Sequence, residues 1–234
     1  MLLATRQPTA LEGALRAHES AVARVAASVG ARLRLAIQLE DDPMAADAAR
    51  GSRVIVQPRG LVELSVEGDD AEPVLGVVGR IATELQSAVD WPASAVSVGT
   101  VHQVLPAASD AILLTLAANR LPSIDHAAFA DYWLNTHAAL AMSMLSAEQK
   151  AKLGYQQVHA NESASTRAAD LAGAARTSYD GVLQCALAKV ADLPHLTVPG
   201  FARVIAKDEE NFADGSAAML GAFMRTLAPR ERAA

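Results

Sequence analysis

The order in which strand-like and helix-like segments follow one another most narrows the possible folds. In "RLRLAIQLE" (32–40), Leu33, Leu35, Ile37 and Leu39 alternate with mostly polar neighbours, the period of a half-buried strand. An Ala- and Leu-rich helix precedes it over 8–32, opening after Pro8 and Thr9 and ending at Gly30. Residues 41–51 give a turn and at most a short helix. Two short strands follow over 54–68, around a break at Pro58 and Gly60. Residues 71–90 are a helix with Val74, Val77, Val78, Ile81, Leu85 and Val89 as its apolar positions, and 94–106 is a strand.

The second part runs similarly. Residues 110–120 read as a strand, 123–145 as a helix that Ser123 or Asp125 can cap, and 153–161 as a strand. The polar stretch 162–178 reads as a loop with a helical piece, and 179–190 as a strand. After a connector, 201–214 reads as a strand with a turn and 215–227 as a short helix or covering tail. With the helix at 8–32 set aside as an N-terminal addition, both parts run roughly β, helix, β, β, helix, β, the ferredoxin-like order. The class is α+β. Two such units pack sheet on sheet or close into an eight-stranded barrel. "PAASD" near residue 107 suits a junction between a degenerate half, 1–106, and a fuller one, 107–234.

Composition narrows the function classes. A net charge of −6, with no Lys/Arg cluster, argues against nucleic acid. The single cysteine, Cys185, allows no internal disulfide and no thiolate metal cluster; placed in mid-strand, it reads as buried and inert. "MLLATRQPTA" lacks the apolar core of a secretory signal, and the apolar run 111–118 is too short to cross a membrane. The expectation is a cytoplasmic protein without a membrane segment.

"FADYWLNTH" (129–137) stands out because the chain has only nine aromatic rings, two Trp, three Tyr and four Phe. On a wheel of about 100° per residue, Phe129, Trp133, Leu140 and Met144 share a narrow stripe. His137 sits on one edge of it and Tyr132 on the other. Core packing alone accounts for such a stripe. A histidine beside it, however, is a base that works near neutral pH.

The longer stretch "FADYWLNTHAALA" resembles the signature helix of the EthD family, in which Phe, Tyr-Trp and His recur at these spacings. "ANRLPSIDHAAF" is similar to that family's lead-in, "GYQQVHAN" to its Gly-Tyr strand ending in His, "YDGVLQCAL" to its Tyr-Asp-Gly strand, and "KDEENFAD" to its Asp-Glu turn with a following Phe. Two departures are Ala139, where the family often has Pro, and the long stretch 162–178. The resemblance implies a dimeric α+β barrel. Single-domain members build the barrel from two chains; here the first half supplies the second sheet, so two ferredoxin-like halves form the barrel within one chain. The first half lacks a "YW…H" helix, so one pocket per chain is expected.

That resemblance and the residue chemistry give the candidate site. His137 and His159 are candidate proton carriers, Tyr132 a hydrogen-bond donor, and Asp180 or Asp208 a group to orient an imidazole, although Asp208, Glu209 and Glu210 read first as a solvated acidic turn. The catalytic set is His137, Tyr132, His159 and Asp180. The substrate-binding set is Phe129, Trp133, Asn135, Tyr155 and Phe212. His102, His126 and His195 read as incidental. No metal site is expected, no G-x-G-x-x-G follows a strand, and no cofactor is expected. The family includes cofactor-free dehydratases, cyclases and isomerases. The leading expectation is a cofactor-independent lyase or isomerase that abstracts a proton from an oxygenated aromatic, polyketide-like or lactone compound. The alternatives are a non-catalytic small-molecule binder and a cofactor-free or haem-dependent oxygenase of the same barrel class. The expected partner is a small-molecule substrate, with a homodimer allowed by any exposed sheet edge.

Overall fold

Leu2 and Leu3 set the phase of the first half. A computed structural model of the chain describes residues 1–5, 8–44, 55–175, 179–217 and 219–227. The two leucines are buried and form a short strand, β1 (Leu2–Leu3), antiparallel to β4 (Gly60–Ser65). The helix α1 (Pro8–Ala27) therefore follows a strand. It is the first crossover of the fold, which corrects its reading as an N-terminal addition. After it come β2 (Arg32–Gln38), β3 (Ile55–Val56), β4, α2 (Glu72–Glu84) and β5 (Gly99–Leu105). A strand of two residues carries no periodicity, so alternation could not reveal it.

The second half is β6 (Ile112–Ala118), a helix, α5 (Ala147–Lys152), β7 (Leu153–Ala160), α6 (Glu162–Ala172), β8 (Gly181–Leu187), α7 (Pro194–Thr197), α8 (Phe201–Glu209) and β9 (Met219–Thr226). The helix after β6 consists of α3 (His126–Asp131), a π-helical turn (Tyr132–His137) and α4 (Ala138–Ser143).

Two expectations are corrected here. Residues 201–209 are a helix, because Phe201, Val204 and Ile205 stand at the i, i+3, i+4 spacing of one helical face. Residues 219–226 are a strand rather than a short helix or tail. Gly221, Ala222 and Met224 are weak strand formers, but β9 lies between β2 and β6 with both faces covered. The stretch 162–178 is mostly α6, capped by Asn161 Oδ1, which accepts from Ala164 N at 2.9 Å. Its Ala164, Ala168 and Ala172 share a core with Leu75, Val78 and Ile81 of α2. The expectations for 45–51, 176–178 and the last residues fall outside the described residues.

The sheet runs β1-β4-β2-β9-β6-β8-β7-β5 with antiparallel neighbours, and β3 pairs in parallel with β9. Its two ends meet. Leu2 exchanges both backbone hydrogen bonds with Ala95, just before β5, at 2.8 and 3.0 Å. The curled sheet is thus closed into an α+β barrel by one bridge, with the βαββαβ order present twice along the chain. Alternate residues from both halves line the inside: Leu2, Ala36, Leu61, Leu113, Val182, Ala222 and Met224 are among its buried cluster, and Leu2, Leu61 and Val182 also border a cavity of about 460 Å³. The other faces of β6, β7, β8 and β9 carry the site helix and α8, and the site lies on that outer side. Among the described residues no helix is long and apolar enough to cross a membrane.

Candidate functional site

Asp125 starts the site helix. Its Oδ1 accepts from Ala128 N at 2.8 Å, an N-cap. One turn later the helix widens, and Ala138 N bonds to Trp133 O, an i→i+5 bond. In an ordinary helix, residues five apart point about 140° away from each other. The π turn instead stacks Tyr132 and His137 on one side, so the two stripe edges of the wheel become neighbours. Gln157 anchors this turn. Its fully buried amide donates to Trp133 O at 3.1 Å and to the Tyr155 hydroxyl at 2.6 Å.

Tyr132 and His137 meet at Asp208, near the C-terminal end of α8. Asp208 Oδ2 lies 2.7 Å from His137 Nδ1, and Oδ1 accepts from the Tyr132 hydroxyl at 2.9 Å. A carboxylate can only accept, so Nδ1 carries a proton, which in the neutral imidazole places the lone pair on Nε2. His137 is only 4% exposed, so this pairing is shielded from water. The bond to Asp208 raises the pKa of the Tyr132 phenol above its ordinary value, with desolvation adding to the shift. Asn211 Nδ2 donates to the same hydroxyl at 3.2 Å.

Rings enclose the imidazole. Phe212 meets His137 edge-on at 4.9 Å and stacks on Tyr132 at 5.4 Å; Phe129 packs on Trp133 at 5.4 Å. Gly181 makes room for the indole, because a Cβ there would overlap the ring of Trp133. This gives the Tyr-Asp-Gly stretch a packing reason. Beside His137 lies a cavity of about 60 Å³, walled by Phe129, Trp133, Phe212, Leu116 and Leu183, with Asn119, Glu209 and Asp214 as its polar members. That volume is far below the roughly 300–1,000 Å³ of pockets that enclose drug-sized ligands.

The structure separates the other candidates from this cavity. His159 lies beyond Trp133, whose indole stacks on it at 5.2 Å, and lines an open groove with His102 and His126. Its Nε2 meets Gln157 Oε1 at 2.9 Å, and desolvation, with His102 and His126 nearby, lowers its pKa to about 4. It is neutral at pH 7 and does not share the His137 cavity. Asp180 orients neither His137 nor His159. It accepts from Arg120 N at 2.9 Å, pairs with Arg120 Nε at 3.2 Å and meets His126 Nδ1 at 3.1 Å, tying β8 to the end of β6. His126, read as incidental, belongs to that clamp. Asn135 is exposed and donates to Asp131 Oδ1 at 2.8 Å, away from the cavity. Tyr155 is buried under the helix, where burial pushes its phenol pKa up, and it supports Gln157 rather than lining the cavity. Desolvation pushes the Cys185 thiol up to about 12.

Three contributors were not in the sequence-derived set. Asp208 was read first as part of a solvated turn, because the acidic run hides which carboxylate turns inward. Asn119 and Gln157 carried no signal of their own. Among the described residues no three of His, Cys, Asp or Glu form a metal-ligating group.

Residues 121–216 match the family model of the EthD domain, a segment of the chain. No curated protein matches the chain. The matched segment contains Phe129, Tyr132, Trp133, His137, Asp208 and Phe212; Asn119 and the whole first half of the barrel lie outside it.

Proposed function

We propose that the EthD domain of this chain performs cofactor-independent acid–base chemistry on an oxygenated carbonyl compound, as a lyase of the dehydratase type or an isomerase. One observation carries this reading: His137, paired through Nδ1 to Asp208 at 2.7 Å, lines a largely apolar cavity. With Nδ1 occupied, Nε2 is the atom that takes a proton from carbon next to a carbonyl. The imidazolium so formed is held by the Asp208 carboxylate. It then gives the proton to a departing hydroxyl, which makes a dehydratase, or to another carbon, which makes an isomerase. Tyr132 is a positioning residue, since its hydroxyl is committed to Asp208. Phe129, Trp133 and Phe212 exclude water and hold the apolar part of the substrate. The cavity volume admits only the reacting end of a larger aromatic, polyketide-like or lactone compound.

The test is turnover of β-hydroxy carbonyl and lactone compounds by the purified protein and by His137→Ala. General-base loss lowers turnover by about 100- to 10,000-fold, with the fold kept by circular dichroism. An effect under about threefold removes His137 from the chemistry. Ligand binding without product in either protein would favour a plain binding protein.

A further inference from the structure

Two strand edges face each other across a slot at one end of the barrel, where β1 no longer separates them. Gln38 N bonds to Arg59 O, and alternation from that pair makes Leu61, Glu63 and Ser65 the residues of β4 that bond to β2. The backbone groups of Val62, Leu64 and Val66 therefore point the other way. Val62 spends its own on Met1, with Val62 N to Met1 O at 2.9 Å and Met1 N to Val62 O at 2.8 Å. Across the slot, Ala95 bonds to Leu2, Val98 N donates to Ser165 Oγ at 2.9 Å and Val98 O accepts from Asn161 N at 2.8 Å. The same alternation turns the backbone of Ser97, Gly99 and Val101 back towards Leu64 and Val66. Among the described residues no bridge joins the two edges. Burial follows the pairing. Leu61, Val62, Ala95 and Val96 are buried where β1 lies between them; beyond it Leu64, Val66, Ser97 and Gly99 are half-buried and Val101 is 48% exposed. The cavity of about 460 Å³ is lined by both edges. Strands on either side of a third stand roughly 9–10 Å apart, so the slot is one strand wide.

We propose that this slot takes an extended peptide segment of a partner protein, as a strand that alternates apolar residues with Lys or Arg. Two facing rows of backbone groups call for a ligand with donors and acceptors along both sides, which an extended main chain supplies on alternate residues. The walls set the side chains. On the outer side Leu64, Val74 and Val98 belong to the core beneath α2, which suits every second residue being apolar. On the inner side Glu63 follows Leu61 by two positions and so faces the barrel interior. Its Oε2 accepts from Gln184 Nε2 at 2.7 Å, and Arg34 Nη1 lies 3.7 Å from Oε1. Asp69 and Asp70 add negative charge at the mouth, and no Lys or Arg lines the cavity among the described residues. Burial lowers the pKa of the Met1 amine, at the inner end, to about 6. The inward residues of the bound strand are therefore basic. The slot is separate from the His137 cavity, which lies on the outer side of the sheet, and the inference does not depend on the acid–base reading.

The experiment titrates the full chain by calorimetry with the peptide Ac-Val-Lys-Val-Lys-Val-NH2, and with Ac-Val-Lys-Pro-Lys-Val-NH2 and Ac-Val-Glu-Val-Glu-Val-NH2 as controls. The first should bind at least about tenfold more tightly than either control, because proline removes a main-chain bond in mid-strand and glutamate sets like charges beside Glu63. Glu63→Gln should narrow the preference for lysine over glutamate to about threefold or less. Saturation with the first peptide should slow amide exchange at Leu64, Ser97, Gly99 and Val101 by at least about tenfold and leave Leu61, already paired to β2, unchanged. No binding, equal affinity for either control, or binding that leaves those four amides unprotected overturns the inference. So does a dimer in sedimentation that the peptide fails to dissociate, since a second copy would then hold these edges.

Discussion

Asp208 Oδ2 lies 2.7 Å from His137 Nδ1 although the two residues are 71 positions apart in sequence, and the same carboxylate takes the Tyr132 hydroxyl on its other oxygen. Two side chains from one π turn converge on one group from another helix. This fixes the imidazole tautomer and the ring plane together, which neither contact would do alone.

Asp208→Asn tests the tautomer. The amide keeps the size of the side chain but can donate to Nδ1, which moves the proton to Nε2 and blocks the base. Turnover should fall by about 100- to 10,000-fold at neutral pH, with little change in KM. A variant that keeps more than about a third of wild-type turnover would show that the pair is structural.

Tyr132→Phe keeps the stack on Phe212 and removes only the bond to Asp208. One such hydrogen bond is worth about 1 kcal/mol, so kcat should drop by roughly fivefold to tenfold. KM should hold, because Tyr132 does not line the cavity. A change confined to KM would place the hydroxyl on the substrate instead.

His159 makes stability depend on acid. Its folded pKa of about 4 is below the ordinary 6.5, so the unfolded chain binds the proton first. Its contribution is present above pH 6.5 and is lost as the pH falls from 6.5 towards 4. His159→Gln should therefore lose less melting temperature than the wild type between pH 7.5 and pH 4.5. Equal losses would remove His159 as a source of the acid sensitivity.

Leu3→Ala tests whether β1 belongs to the barrel. Leu3 is fully buried next to the bridge that joins Leu2 to Ala95. Truncating a buried leucine costs about 2–5 kcal/mol, to be read from urea unfolding of the full chain. A loss below about 0.5 kcal/mol would make these residues a loose end rather than a strand.

Much of the second half was legible from residue patterns. The strand-like segments at 110–120, 153–161 and 179–190 became β6, β7 and β8, the ring-rich 129–137 stretch fell on the site helix, and of Ser123 and Asp125 it is Asp125 that caps it. Each signal is local, since a strand or helix that buries one face repeats its apolar residues at its own period. The same rule failed where an element is too short to show a period, as in β1. It also failed where position in the sheet outweighs propensity, as in β9.

The sequence by itself determined the alternation of helices and strands over most of the second half, the ring-rich helix with its histidine, and the EthD resemblance. Only the tertiary structure decided that Asp208 rather than Asp180 holds His137, that His159 lies behind Trp133, and that Asn119 shares the cavity. Those pairings depend on strand order and on the register of a helix that shifts at its π turn. Both arise from contacts between residues far apart in the chain, which no local period encodes.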